Sequence, residues 1–241
     1  MQYNKRLPSW EYASILLMRT FGNFLIFGSL FVIAKTFYQP VAEEVKYFVD
    51  KQTQKEYVVA APQDASIVEK EYSQIAPKGA LAQALQVKPV EVLVPNDPNF
   101  SVVIPKIAAN ANILGNVDPA NETEYLDALK RGVAHAEGTA FPGENGHIFL
   151  FAHSTDYIWN VGNYNAVFYL LYKLETGDEV NIFYKGTRHV YKVTGKQVVD
   201  PSEIEYLTRK TDKEFLTLQT CWPPGTTLKR MLIFAEPVVQ Q

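Results

Sequence analysis

The apolar positions of this 241-residue chain fall into three regimes. From Ile15 to Ala34 they are nearly unbroken (ILLMRTFGNFLIFGSLFVIA), and Arg19 is the one charged residue. Twenty residues rise about 30 Å as a helix, the thickness of a bilayer's hydrocarbon core. Residues 39–95 are mixed and polar. Within them VAEEVKYFVDKQTQKEY has the spacing of a short amphipathic helix, and an Ala- and Pro-containing stretch follows as far as Val94-Pro95. From about Phe100 the pattern breaks into short runs rich in β-branched and aromatic residues, the texture of strands. These are FSVVIPKI, HIFLFAHS, DEVNIFYKG, RHVYKVTGKQVV, EFLTLQTC and RMLIFAEPV, with YKGTR joining two of them as a hairpin. Two helical patterns interrupt the series. ETEYLDALKRGVAHA sets Tyr125, Leu126, Leu129 and Val133 on one stripe, and AVFYLLYKLETGD reads as a short helix closed by Gly177. Many short strands with few helices predict a mainly β domain built as a closed or nearly closed barrel.

The chain therefore divides into an N-terminal segment (1–14), a transmembrane anchor (15–34), a spacer (35–95) and a folded domain (96–241). Arg19 lies near one end of the apolar run, where a long side chain can snorkel to headgroups. Trp10 and Tyr12 before the run, and Phe37 and Tyr38 after it, are placed to form interfacial belts. The run is long for the apolar core of a signal peptide, and no small-x-small cleavage site precedes Lys35. An uncleaved anchor is favoured over a cleaved leader on those grounds. Lys5 and Arg6 predict a cytoplasmic N-terminus and an extracytoplasmic remainder.

Charge sharpens this division. Residues 1–35 hold Lys5, Arg6, Arg19 and Lys35 against Glu11 alone, while the rest of the chain holds 19 basic and 25 acidic side chains. So acidic a domain is a poor partner for nucleic acid, whose binding depends on neutralised phosphates. With 47% hydrophobic and 20% charged residues, wholesale disorder is excluded. There is no phosphate-binding glycine motif. One cysteine rules out an internal disulfide or a Cys-rich zinc module, and four scattered histidines without HExxH give no metal signature. Neither metal nor organic cofactor is expected.

A lone cysteine outside a membrane is a buried inert residue, an intermolecular partner or a nucleophile. Cys221 ends the strand EFLTLQTC and is followed by Trp222-Pro223-Pro224-Gly225, which cannot extend a ladder. Arg230 opens the strand RMLIFAEPV. If the two strands pair as a hairpin, thiol and guanidinium face each other, an arrangement that favours thiolate and can hold an oxyanion. His153 ends its own strand, HIFLFAHS, just before Ser154-Thr155-Asp156. A cysteine with a histidine in reach is the minimal set for acyl transfer. His135 at the end of a helical pattern, His147 at a strand start and His189 beside a hairpin turn read instead as solvated structural residues.

At these residues the sequence resembles the sortase family. LTLQTC at 216–221 resembles the sortase signature TLxTC, with Arg230 a short distance downstream, and FAHS at 151–154 resembles the segment that carries the family's histidine. IPKI at 104–107, the later NILGNVD, and GVAHAEGTAFPGENGHIFLFAHS are similar to the stretches that lead into it. The resemblance covers about residues 100–239. Ala152 stands where a glycine is commoner, and His147 where many relatives carry asparagine. The Trp-Pro-Pro-Gly loop and the insertion DYIWNVGNYNAVFYLLYK after His153 leave subclass and substrate motif open; its aromatics are expected to pack rather than line a groove.

The resemblance implies an eight-stranded sortase-type β-barrel with a few short helices behind one transmembrane helix. It implies a transpeptidase in which Cys221 attacks a Leu-Pro-x-Thr-Gly-like sorting signal, His153 moves protons, Arg230 holds oxygens, and Thr220 helps position the substrate. The implied partners are a sorting-signal-bearing surface or pilin protein and an amine acceptor, either a cell-wall precursor or a pilin lysine. Two other readings stay open: an anchored cysteine peptidase, which shares all three residues and only hydrolyses, and a non-catalytic β-domain of the cell envelope, in which Cys221 is inert.

Overall fold

The structure is a computed structural model that describes residues 9–75, 88–154 and 167–238. It has two compact units, divided between Ala42 and Glu43. Helix α1 (Ser9–Gln52) makes up the described part of the first unit and continues into the second. Its span Trp10–Lys35 is long and apolar enough to cross a membrane, and none of that span is buried within the protein. Thr20 and Ser29 donate their hydroxyls back to Leu16 O and Ile26 O, each at 2.9 Å, so neither presents an unsatisfied O–H on this apolar surface.

The second unit is an eight-stranded closed barrel. Its strands are β3 (Phe100–Ile104), β4 (Ala109–Val117), β5 (Val133–Ala136), β6 (His147–Phe151), β7 (Glu179–Tyr184), β8 (Thr187–Val199), β9 (Phe215–Trp222) and β10 (Lys229–Pro237). They close in the order β10-β8-β7-β3-β4-β5-β6-β9. The β4–β5 and β6–β9 pairs are parallel and the others antiparallel. Alternate residues point inward: Val102, Ile104, Ile148, Leu150, Ile182, Leu216, Leu218 and Ile233 are fully buried in one cluster. The expected hairpin is present. Lys185 (φ 49°) and Gly186 (φ 79°) form a two-residue turn between β7 and β8, both left-handed, the geometry that matches strand twist.

The helical stripe at 122–136 is shorter than its spacing predicts. Helix α3 (Glu122–Arg131) is capped by Asn121, whose side chain accepts from Glu124 N, and stops at Gly132. A Cβ at Gly132 would lie 2.3 Å from Asn112 O, so only glycine lets the chain turn tightly against β4. Val133–Ala136 then forms β5, buried at all four positions. The second helical pattern contributes, within the described residues, only the 3-10 turn Leu171–Lys173, and Gly177 (φ 95°) makes the bend that follows.

The expected spacer carries structure of its own. Strands β1 (Glu56–Val59) and β2 (Val90–Leu93) pair in parallel, with α2 (Ala65–Ile75) between them in sequence. Val59 and Leu93 pack on Val103 and Phe183 from the outer face of β3 and β7. Arg188 fastens this small sheet to the barrel. Its Nη1 donates to Val59 O at 3.0 Å and its Nε to Asn181 Oδ1 at 2.9 Å.

Candidate active site

Strand direction and register set Cys221 opposite Arg230 and bring the strand end that leads into His153 beside them. In the antiparallel β9–β10 ladder, Cys221 lies directly opposite Arg230. In the parallel β6–β9 ladder, His147 pairs with Phe215 and the register holds without a shift to Phe151 and Gln219. Beyond the last ladder pair, Ala152 N still donates to Gln219 O at 3.1 Å. His153 comes next, two residues past the end of β6. Residues level in a ladder point the same way. Cys221 and Arg230 thus share the face opposite to the inward Leu216 and Leu218, beside the strand end that leads into His153. The hairpin expected from spacing alone is present, with Trp222 extending it by one pair to Lys229.

The thiol of Cys221 is partly buried. Burial pushes its pKa up and the Arg230 guanidinium opposes that shift, leaving the group above its ordinary value. Arg230 spends Nη1 on Thr227 O and Lys229 O, both at 3.1 Å, which holds the guanidinium at the mouth of the hairpin. The other three N–H groups sit on Nε and Nη2. Thr220, adjacent to the thiol and only 4% exposed, faces the barrel interior, and its hydroxyl donates to Ala152 O at 2.9 Å. The hydroxyl therefore ties the end of β9 to the residue that precedes His153.

Two histidines read as solvated are instead deep in the fold. His135 belongs to β5, is fully buried, stacks on Phe141 and contacts the Ala140 carbonyl and Thr139 hydroxyl. His147 is 5% exposed, and its Nε2 lies 2.8 Å from the Thr217 hydroxyl. Burial, with the nearby Arg209 charge second, brings the His147 pKa down to about 4, so the ring is neutral at ordinary pH. His189 is half-buried, with its ring against Gly143.

The flank of the site was not anticipated from the sequence. Trp222 packs on Tyr172 with ring centroids 5.2 Å apart, and Tyr172 donates its hydroxyl to Glu44 near the end of α1. Of the aromatic insertion, Tyr157, Trp159 and Tyr164 lie outside the described residues, whereas Phe168 is fully buried in the barrel core. No group of three or more His, Cys, Asp or Glu side chains able to hold a metal occurs among the described residues.

Residues 102–238 match the family model described as the sortase domain. Sortase D of Bacillus subtilis (strain 168) is 30% identical over 138 residues, which amount to 56% of this chain and 61% of that protein. The match thus spans under two thirds of that relative's length. Two solved structures are also similar. Sortase C-1 from Actinomyces oris is 29% identical with a TM-score of 0.49, covering 60% of this chain and 76% of its own. Clostridium perfringens sortase C, solved with the C-terminal cell wall sorting motif, is 32% identical with a TM-score of 0.49, covering 58% and 70%.

Proposed function

The chain belongs to the sortase family, and from that premise we propose that it is a membrane-anchored cysteine transpeptidase acting through Cys221, His153 and Arg230. The observation that carries this reading is the β9–β10 pair that sets the Cys221 thiol directly opposite Arg230, beside the end of β6 that leads through Ala152 into His153.

The chemistry follows from those groups. The Sγ thiolate of Cys221 attacks the carbonyl carbon of threonine in a Leu-Pro-x-Thr-Gly-like signal, and the developing oxyanion is held by Arg230 through Nε and Nη2. The C–N bond to glycine breaks. His153 gives a proton to the leaving amine, and the acyl group remains on sulfur as a thioester. An incoming amine then loses a proton to His153 and attacks the same carbon; the C–S bond breaks and the thiolate is restored. Thr220 assists by holding Ala152, and so the backbone that presents His153. The acceptor amine comes from a cell-wall precursor or a pilin lysine. The product is a protein joined to the cell surface or to a growing pilus.

The apolar span Trp10–Lys35 serves as the anchor, with Lys5 and Arg6 on the cytoplasmic side and the barrel outside. Holding enzyme and membrane-borne substrate on one surface raises their effective concentration. The test is intact-mass spectrometry of the full chain in detergent, incubated with a sorting-peptide library and several amines. A thioester on Cys221 and an amine-dependent ligated product are expected. Hydrolysed peptide alone, whatever amine is added, would make the protein a peptidase. An inert Cys221 would make it a non-catalytic envelope domain.

A further inference from the structure

One cluster beside the site has no part in the chemistry above. Trp222 immediately follows the nucleophile, and its ring leans on Tyr172. Tyr172 sits in the 3-10 turn Leu171–Lys173, and the backbone of that turn is pinned. Leu171 and Leu174 are fully buried, and Lys196 Nζ donates to Tyr172 O at 2.8 Å and to Leu174 O at 3.1 Å. The Tyr172 side chain is fixed from a different direction. Its hydroxyl donates to Glu44 Oε1, while Glu44 Oε2 pairs with Lys173 Nζ at 3.2 Å. Lys173 in turn lies over the rings of Tyr172 (4.7 Å) and Tyr47 (5.1 Å). Glu44 and Tyr47 are one turn apart near the end of α1, within the same compact unit as the barrel.

We propose that Glu44, Tyr172 and Trp222 form a brace through which the end of the anchoring helix holds the end of β9 from the face opposite the thiol, making all three positioning residues for Cys221. The physical case rests on where each group is held. Residues just after Trp222 form a turn with little to hold an indole in place: Pro223, Pro224 and Gly225 offer no side chain that reaches back. A ring one residue from the nucleophile, on the opposite face of the strand and packed against the barrel core, fixes the backbone from which Cys221 projects. Its orientation depends on its neighbour, and that neighbour is oriented by a carboxylate from a helix 128 residues earlier in the chain. Each link is half-buried rather than exposed, so the contacts are screened less than surface pairs would be.

This inference rests on Cys221 being the nucleophile of the reaction proposed above, and the experiment separates the two. The full chain in detergent is prepared with Glu44→Ala, Glu44→Gln, Tyr172→Phe, Trp222→Ala and the Tyr172→Phe/Trp222→Ala pair, and thermal midpoints establish that each is folded. Steady-state ligation is measured with a Leu-Pro-x-Thr-Gly peptide. In parallel, the rate at which iodoacetamide alkylates Cys221 is read at one pH, which requires no turnover.

Glu44→Ala and Tyr172→Phe should lower kcat about fivefold, roughly the worth of one hydrogen bond, with KM little changed. Both should also raise the alkylation rate, because the strand end that carries Cys221 loosens. Glu44→Gln, which keeps an acceptor oxygen for Tyr172, should recover most of the loss. In the Trp222→Ala background, Tyr172→Phe should have no further effect. Wild-type kcat and alkylation in both single variants, or full additivity with Trp222→Ala, would overturn the brace. If the wild-type protein forms no thioester, the transpeptidase reading fails by itself, and an alkylation rate unchanged by Glu44→Ala then overturns the brace as well.

Discussion

Arg230 faces Cys221 directly across the β9–β10 ladder, and the two influences on the thiol oppose each other. Desolvation disfavours the thiolate and is the larger effect; the guanidinium favours it. The thiol is therefore protonated at neutral pH, and reactivity rises with pH. Because the chain has one cysteine, alkylation reports on this group alone. The rate of alkylation by iodoacetamide should climb through a midpoint above the ordinary thiol value of about 8.5. Arg230→Ala should move that midpoint higher still. A midpoint below the ordinary value would contradict the balance described.

Replacing the proposed reactive groups should separate chemistry from folding. Cys221→Ala should abolish both cleavage and ligation of a sorting peptide while the thermal transition stays in place. Arg230→Lys keeps a positive charge but loses the planar fork. It should lower kcat by about a hundredfold, the scale seen when one oxyanion donor is lost. Full activity in Arg230→Lys, measured under saturating peptide, would remove that residue from the oxyanion role.

Thr220 offers a subtler test. Thr220→Val keeps the shape and removes the donor to Ala152 O, so it should cost about 1 kcal/mol of stability. It should also slow turnover, since Ala152 leads directly into His153. Thr220→Ser should restore both. Chemical denaturation and single-turnover kinetics on the three proteins decide the matter; a Val variant with unaltered turnover would leave Thr220 a purely structural residue.

His147 makes the fold sensitive to acid. Its folded pKa of about 4 lies below the ordinary value of 6.5, so the unfolded chain binds the proton more readily. The neutral ring contributes its full stability above about pH 6.5, and that contribution is lost as pH falls towards 4. The total at stake is on the order of 3 kcal/mol, at 1.36 kcal/mol per pH unit. His147→Gln, which can still bond Thr217, should flatten the decline in urea midpoint between pH 7 and pH 5. Burial lowers the His135 pKa as well, so that ring adds to the decline that remains. Identical declines in the two proteins would show that His147 titrates as an exposed ring.

The barrel was legible because each strand announces itself locally, and the hairpin that sets Cys221 opposite Arg230 was legible because each residue stands at the edge of such a run. Burial was not. His135 carries the stripe of a helix in its neighbours, yet Gly132 stops the helix because the Asn112 carbonyl leaves no room for a Cβ. His147 begins a strand, and nothing nearby in sequence reveals that Thr217 and Arg209 enclose it. The end of α1 looked like plain spacer because the partners of Glu44, Tyr172 and Lys173, lie far down the chain. Short-range pattern carries the elements and their ends; it does not carry which distant side chain arrives to cover them.

The parallel pairing of β6 with β9 has a consequence for when the protein becomes reactive. Ala152 and Thr220, the residues that tie the two strand ends, are 68 positions apart, with β7 and β8 between them. Long-range pairings of this kind are slow to form because the intervening chain must first be closed into a loop. Until β6 and β9 have paired, Cys221 stands apart from the strand end that leads into His153, and until the β9–β10 hairpin forms it stands apart from Arg230. The constellation proposed above therefore exists only in the closed barrel, and an unfolded chain carries an ordinary solvated thiol.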